Sequence, residues 1–181
     1  MSKQFVELPI SAADGQFVAR YSAKGLAELE FPPSNGRRRG DKSQISSLAK
    51  SVRDSSRRLL QVPDEIHNWH RATETALEEI LAGRAPKNLP PLDLSGGTEF
   101  QQAVWRELRK ISRGKTKSYG EIAQAIGKDR AVRAVGGACG ANPVPVLVPC
   151  HRVLAAHGKI GGFGGGLDWK RKLLAREGVK F

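Results

Sequence analysis

Asn142-Pro143-Val144-Pro145-Val146-Leu147-Val148-Pro149-Cys150-His151-Arg152-Val153 is an apolar run that ends on an adjacent thiol and imidazole. Val144, Val146, Leu147 and Val148 predict a short buried strand, and Pro145 and Pro149 withhold two backbone donors, which places that strand at an edge or its end. Cys150 then stands where regular pairing must stop. On an extended chain Cys150 and His151 would point to opposite faces, so their cooperation requires a tight turn or a helical start after Pro149.

A free thiol titrates near ~8.5 and is mostly protonated at neutral pH, so a nucleophilic role for Cys150 needs a base, and His151 is the nearest candidate. The bland alternative is a buried cysteine acting as a small hydrophobe. A metal site is weaker. Cys139 stands too far upstream for a CxxC clasp and the other histidines lack finger spacing.

Downstream of the Gly83–Gly97 stretch with Pro86, Pro90 and Pro91, which predicts a boundary near residue 92, the pattern is helical. Thr98-Glu99-Phe100-Gln101 has the form of a capping box, with Phe100, Val104, Trp105 and Leu108 following at helical intervals, so Trp105 is expected in the core. Ser118-Tyr119-Gly120-Glu121 opens a second helix that Gly127 closes. Lys128-Asp129-Arg130 then turns into Ala131-Val132-Arg133-Ala134-Val135-Gly136-Gly137-Ala138. Helix, short turn and small-residue helix is the helix-turn-helix layout, a weak signal alone.

Upstream, Phe5 to Phe31 alternates apolar stretches with the turn signals Ala13-Asp14-Gly15 and Lys24-Gly25, which predicts an antiparallel ribbon with Val18, Tyr21, Leu26, Leu29 and Phe31 on its core side. Pro91-Leu92-Asp93-Leu94 is expected to add a last strand. Ser47–Leu60 and Glu65–Ala82 carry helical spacing, the second with Ile66, Trp69, Ala76, Leu77 and Ile80 on one face and Thr73 interrupting it. His67, His70 and Glu74 share a face of that helix, but surface or satisfied histidines are the expected reading. Arg37-Arg38-Arg39 reads as a solvated loop cluster that could also touch phosphates.

The chain has 181 residues, with 30 Lys and Arg against 18 Asp and Glu, a formal charge of +12 and a pI near 10.2. Such a balance favours a polyanionic partner such as nucleic acid or an anionic membrane surface. No apolar run approaches the ~20 residues of a membrane span and the amino terminus lacks a signal peptide's apolar core, so a soluble intracellular protein is expected. Two cysteines argue against a disulfide scaffold, and a usable thiol implies a reducing compartment.

Pro149-Cys150-His151-Arg152-Val153 preceded by Asn142-Pro143 resembles the acceptor-cysteine signature of the O6-alkylguanine-DNA alkyltransferases. The resemblance extends through Ser118–Ala123, Arg130–Ala138, Gly165-Gly166-Leu167 and Leu173–Gly178, in order, over residues 93 to 179. It implies an α/β (α+β) fold, with a ribonuclease-H-like ribbon and helices over 1–92 and a mainly helical, winged-helix-like domain with a helix-turn-helix over 93–181. It also implies irreversible transfer of an alkyl group from O6-alkylguanine, and from O4-alkylthymine, in double-stranded DNA to Cys150.

By the same resemblance His151 takes the thiol proton through a bound water, Glu177 orients the ring, Asn142 ties the strand to the neighbouring turn, and Tyr119 donates to the departing guanine. Arg133 would fill the stack after the nucleotide is flipped out, with Ala134 and Gly136 small at the DNA and Lys128 on a phosphate. Phe163, Gly164 and Val153 would form the substrate pocket, with Phe163 where many relatives have Tyr and Gly164 where some have Ser. No cofactor or metal is implied. A monomer is expected, cytoplasmic and nucleoid-associated, or nuclear in a eukaryote. The competing functions are a non-catalytic damage sensor, against which Cys150 argues, a helix-turn-helix regulator, for which no effector or dimerisation segment is visible, and a thiol hydrolase, which leaves the basic charge and Arg133 unexplained.

Overall fold

The computed structural model describes residues 5–33 and 62–180. The Arg37-Arg38-Arg39 cluster and the helix expected over Ser47–Leu60 lie outside the described residues.

Period-2 alternation builds three antiparallel strands in sequence order, β1 (Val6–Ala12), β2 (Gly15–Ser22) and β3 (Gly25–Glu30). On β2 the buried face carries Phe17, Ala19 and Tyr21. Val18 is therefore on the other face, contrary to expectation, because neighbouring residues of a strand point to opposite sides. Leu26 and Leu29 are both buried, although their spacing is not that of a regular strand face. A register shift at Arg20/Tyr21 in the β2–β3 pairing accompanies this irregularity. Pro91–Leu94 adds one bridge, Leu26 to Leu92, and no strand.

Helix α1 (Asp64–Leu81) covers the sheet with Ile66, Ala76, Leu77 and Ile80. Thr73 is buried within this face because its hydroxyl donates to Trp69 O at 2.8 Å and accepts from Tyr21 Oη at 3.0 Å. His70 is satisfied in the same cluster, Nδ1 lying 3.1 Å from Tyr21 Oη and Nε2 3.3 Å from Glu74. Among the described residues no group of three His, Cys, Asp or Glu could hold a metal, and no helix is long and apolar enough to cross a membrane.

The C-terminal half is mainly helical. Both capping boxes form: Thr98 and Gln101 bond reciprocally at the start of α2 (Glu99–Leu108), and Ser118 and Glu121 at the start of α3 (Tyr119–Ala125). At the end of α3, Gly127 takes φ +68°, letting Lys128 N reach Ala123 O and Gly127 N reach Gln124 O, which satisfies two terminal carbonyls and turns the chain into α4 (Val132–Gly140). Helices α3 and α4 pack on each other and on α2. Trp105 is buried in that junction and donates from Nε1 to Ala138 O at 2.8 Å.

After α4 come a 3₁₀ turn (Cys150–Arg152), β5 (Val153–Leu154), which pairs in parallel with β4 (Lys117–Ser118), a second 3₁₀ turn (Ala156–Gly158), and α5 (Leu167–Arg176). One apolar cluster runs from Phe17 and Leu26 of the sheet through Trp105 to Val146 and Leu173. The β1–β2 turn is tied to α5 by Asp14, which accepts from Arg176 at 2.6 and 3.0 Å and from Lys172 at 3.2 Å.

Candidate active site

The expected strand over Val144–Val148 is a buried turn. Val148 N donates to Val144 O at 2.9 Å, and Val146 is held at φ +74°, a conformation a β-branched residue rarely takes. Four apolar side chains between prolines read as a strand because the turn is buried by packing, not by pairing. Asn142 fixes this loop. Its Nδ2 donates to Val148 O at 2.8 Å and to Cys150 Sγ at 3.0 Å, while its Oδ1 accepts from Val144 N at 3.1 Å. Asn142 therefore ties a turn, not a strand, to the thiol.

Pro149 leads into the 3₁₀ turn that the Cys-His pair required. Cys150 is 5 % exposed, yet its side chain faces a cavity of about 260 Å³ lined by Tyr119, Gly136, Cys139, Gly140, Gly162, Phe163 and Gly164. A wider cavity of about 1350 Å³ on the sheet side shares Cys139, Gly140, Cys150, Phe163 and Gly164 with it. The sulfur is thus enclosed without being sealed in aliphatic packing. Burial pushes the thiol up to about 11, against the opposing pull of the Asn142 amide and the Lys170 charge. At neutral pH it is protonated, so thiolate formation requires a proton acceptor.

His151 is wholly buried on the inner side of the 3₁₀ turn. Its Nε2 lies 3.1 Å from Glu177 Oε1, and its Nδ1 has no protein partner. A carboxylate can only accept, so Nε2 carries the proton and Nδ1 is left basic. Burial lowers the imidazole below its ordinary value, while Glu177 raises it.

Glu177 is 6 % exposed, not the solvent-facing acid that a helix end suggests. It caps α5, where Gly178 at φ +78° lets Val179 N bond Leu174 O and Gly178 N bond Ala175 O. Its oxygens also accept from Arg152 Nε at 3.1 and 3.0 Å, Arg152 Nη2 at 2.8 Å and Gly114 N at 3.2 Å. Burial raises this carboxyl, but the bonds and charges of His151 and Arg152 outweigh it and hold it at about 2.

These two shifts fix the acid response. His151 has its folded value below the ordinary 6.5, so the unfolded chain takes up the proton first and stability falls as pH drops through 6.5. Glu177 adds a second loss from the ordinary 4.5 downward, complete near 2. Denaturant midpoints followed by circular dichroism should therefore decline in both windows as pH falls. In Glu177→Gln the lower window should shrink.

Two functional candidates escaped the sequence reading. Lys170, on α5, is wholly buried, its Nζ donating to Val153 O at 2.6 Å and Gly162 O at 3.2 Å. Burial lowers this ammonium, while the nearby thiols Cys150 and Cys139 raise it when ionised. The available signal was position: Lys170 falls three residues after Leu167 and three before Leu173, on the apolar face of the helix. Lys170→Met should slow alkylation of Cys150 by iodoacetamide on the order of tenfold, since one pKa unit of lost thiolate stabilisation is a factor of ten. Arg152, by contrast, was visible in the motif but carried no role. It is buried, bonded to Glu177 and, through Nη1 at 2.6 Å, to Ile111 O.

The other expected residues divide into two groups. Tyr119, the first residue of α3, is half-buried at the cavity, its hydroxyl 3.5 Å from Gly162 O; burial, then the Cys139 and Cys150 thiols, raise it above its ordinary value. Phe163 stands edge-on to His151 at 6.5 Å and to Phe31 at 5.7 Å. Gly164 lines both cavities. Val153 does not line the pocket: it is fully buried in β5, and its carbonyl serves Lys170. Arg133 and Ala134 lie outside the cavity on the exposed side of α4, and Lys128 is exposed in the turn between α3 and α4. A Cβ added at Gly136 would meet nothing within 4 Å, so packing within the described residues does not require a glycine there.

Residues 99–179 match a family model described as the DNA-binding domain of 6-O-methylguanine DNA methyltransferase. A methylated-DNA-protein-cysteine methyltransferase of Mycolicibacterium paratuberculosis is 52% identical over 146 residues, 75% of this chain and 88% of that one. A protein of the same name from Methanosarcina acetivorans is 43% identical over 125 residues, 67% and 80% of the two chains. The crystal structure of Mycobacterium tuberculosis OGT in complex with DNA superposes with a TM-score of 0.64 at 34% identity, covering 93% of this chain and 90% of that one.

Proposed function

The chain belongs to the methylated-DNA-protein-cysteine methyltransferase family, and from this membership and the site's geometry we propose that it repairs DNA by drawing the alkyl group of O6-alkylguanine, and of O4-alkylthymine, onto Cys150. The observation that carries this reading is the enclosed constellation of Cys150, His151 and Glu177, with the Asn142 amide on the sulfur and a cavity in front of it.

His151 accepts the thiol proton on Nδ1, relayed by a water molecule, while Glu177 holds Nε2–H and stabilises the imidazolium. The Asn142 amide and the Lys170 charge stabilise the thiolate, which attacks the alkyl carbon in line. The sulfur–carbon bond forms as the carbon–O6 bond breaks. Tyr119, kept protonated by its raised value, donates to the guanine ring nitrogen so that charge does not accumulate on O6. The product thioether has no easy route back to thiol, so each molecule reacts once.

In a duplex O6 is too confined for in-line attack, so the nucleotide is rotated into the cavity. Exposed Arg133 occupies the vacated stack from the minor groove, the small residues Ala134 and Gly136 allow α4 to approach the backbone, and Lys128 pairs with a phosphate. Residues 1–92 serve as the framework domain in this scheme and 93–181 as the reacting domain. Arg133→Ala should slow repair of a duplex by tenfold or more while changing reaction with free O6-benzylguanine by less than about twofold, since unstacking costs a few kcal/mol. Parallel losses on both substrates would remove Arg133 from flipping.

The function itself is tested with a duplex whose restriction site contains O6-methylguanine. Incubation should restore cleavage in proportion to protein added, with a plateau at one site per molecule. Unrestored sites at excess protein would refute the proposal.

A further inference from the structure

Cys139 and Cys150 are both free and both face the same 260 Å³ cavity. They approach it from different elements: Cys139 from the last turn of α4, Cys150 from the first residue of the 3₁₀ turn. Asn142 bridges them, its backbone N donating to Cys139 O at 3.4 Å and its side chain to Cys150 Sγ at 3.0 Å. Burial, and after it the charge of a Cys150 thiolate, push the Cys139 thiol up to about 12, and both thiols act on Tyr119 and Lys170, so the two sulfurs share one electrostatic environment and Cys139 attacks only as its proton is taken up. The alkyl-transfer chemistry leaves Cys139 without a part.

We propose that Cys139 is a resolving thiol for Cys150, and that the pair closes to an intramolecular disulfide when a hydroperoxide reaches the cavity. The Cys150 thiolate attacks the terminal oxygen of the hydroperoxide, the O–O bond breaks, and the alcohol or water leaves with a proton, giving a sulfenic acid. Cys139 then attacks that sulfur, the S–S bond forms, the S–O bond breaks, and hydroxide departs with the Cys139 proton as water. Two thiols lose two electrons and one hydroperoxide gains them. The disulfide silences the acceptor, shields it from the irreversible sulfinic state, and is reopened by a dithiol.

The test uses the full chain without DNA, treated with a few equivalents of hydrogen peroxide and read by intact mass and peptide mapping. The wild type should remain a single chain, lose about two hydrogen masses, yield a linked Cys139–Cys150 peptide pair, and regain its original thiol reactivity with dithiothreitol. Cys139→Ser should instead gain about two oxygen masses on Cys150 and recover none of its own starting reactivity under dithiothreitol. Wild-type protein that accumulates oxygen on Cys150 with Cys139 still free, or links only between molecules, overturns the proposal. Because the readout is mass on two thiols, it stands or falls apart from alkyl transfer.

Discussion

Cys150→Ser should lower transfer of label from O6-methylguanine duplex to the protein to background, while leaving duplex affinity within about twofold. A serine oxygen can take the Asn142 hydrogen bond and fits the same cavity, so the fold and the α3–α4 surface keep their form. The chemistry does not survive, because displacement at an alkyl carbon needs a soft, strong nucleophile, which describes a thiolate and not a hydroxyl. Quenched label counts and filter binding at one salt concentration measure the two quantities separately. Residual transfer above background in the variant would place the acceptor elsewhere, and Cys139, in the same cavity, would be the first residue to examine.

Glu177→Gln carries the second large effect, in two measurable parts. The carboxylate serves a wholly buried His151 and an almost buried Arg152, so neutralising it leaves the arginine charge without its counterion. Breaking a buried pair from one side costs about 3–5 kcal/mol, which a denaturant midpoint should register. The catalytic part follows from the hydrogen bond to Nε2. A carboxylate only accepts, whereas a glutamine amide can donate to Nε2 and move the ring proton to Nδ1, where it blocks the acceptance of the thiol proton. Transfer rates measured well below the variant's melting point should fall by roughly 10²–10⁴. A variant that is destabilised but transfers at the wild-type rate would reduce Glu177 to a structural role.

Local chemistry was legible where a short-range rule decides the outcome. Thr98 with Gln101 and Ser118 with Glu121 formed both capping boxes, Gly127 closed α3, and Trp105 went into the core. The need for a turn after Pro149 followed from the opposite faces of adjacent residues on an extended chain, and a 3₁₀ turn is there. The failures occur where distant parts of the chain decide. Val146 lies in a turn that only the surrounding core can hold at positive φ, and no periodicity marks it. Val18 falls on the face opposite Phe17, Ala19 and Tyr21, and Ala19, the small member of that set, weakens the alternation that marks the register.

Charge misleads in the same way. Lys170 stands in the basic run Lys170-Arg171-Lys172, yet it is buried, and the carbonyls of Val153 and Gly162 accept hydrogen bonds from its ammonium. Glu177 reads as an exposed terminal acid until Arg152 and His151, 25 and 26 residues earlier, are folded against it. The tie of Asp14 to Arg176, 162 residues apart, leaves no local trace either. Each is a polar group whose partners are set by tertiary packing, the condition under which burial of charge is tolerated.

The central claim is tested most directly by mixing the wild-type protein with excess duplex bearing O6-[¹⁴C-methyl]guanine, digesting the product, and mapping the labelled peptide. The account predicts a plateau of about one methyl per protein molecule, all of it as S-methylcysteine at Cys150, with unmodified guanine left in the DNA. Label that stays on the duplex, continues past one equivalent, or maps to a residue other than Cys150 would contradict it.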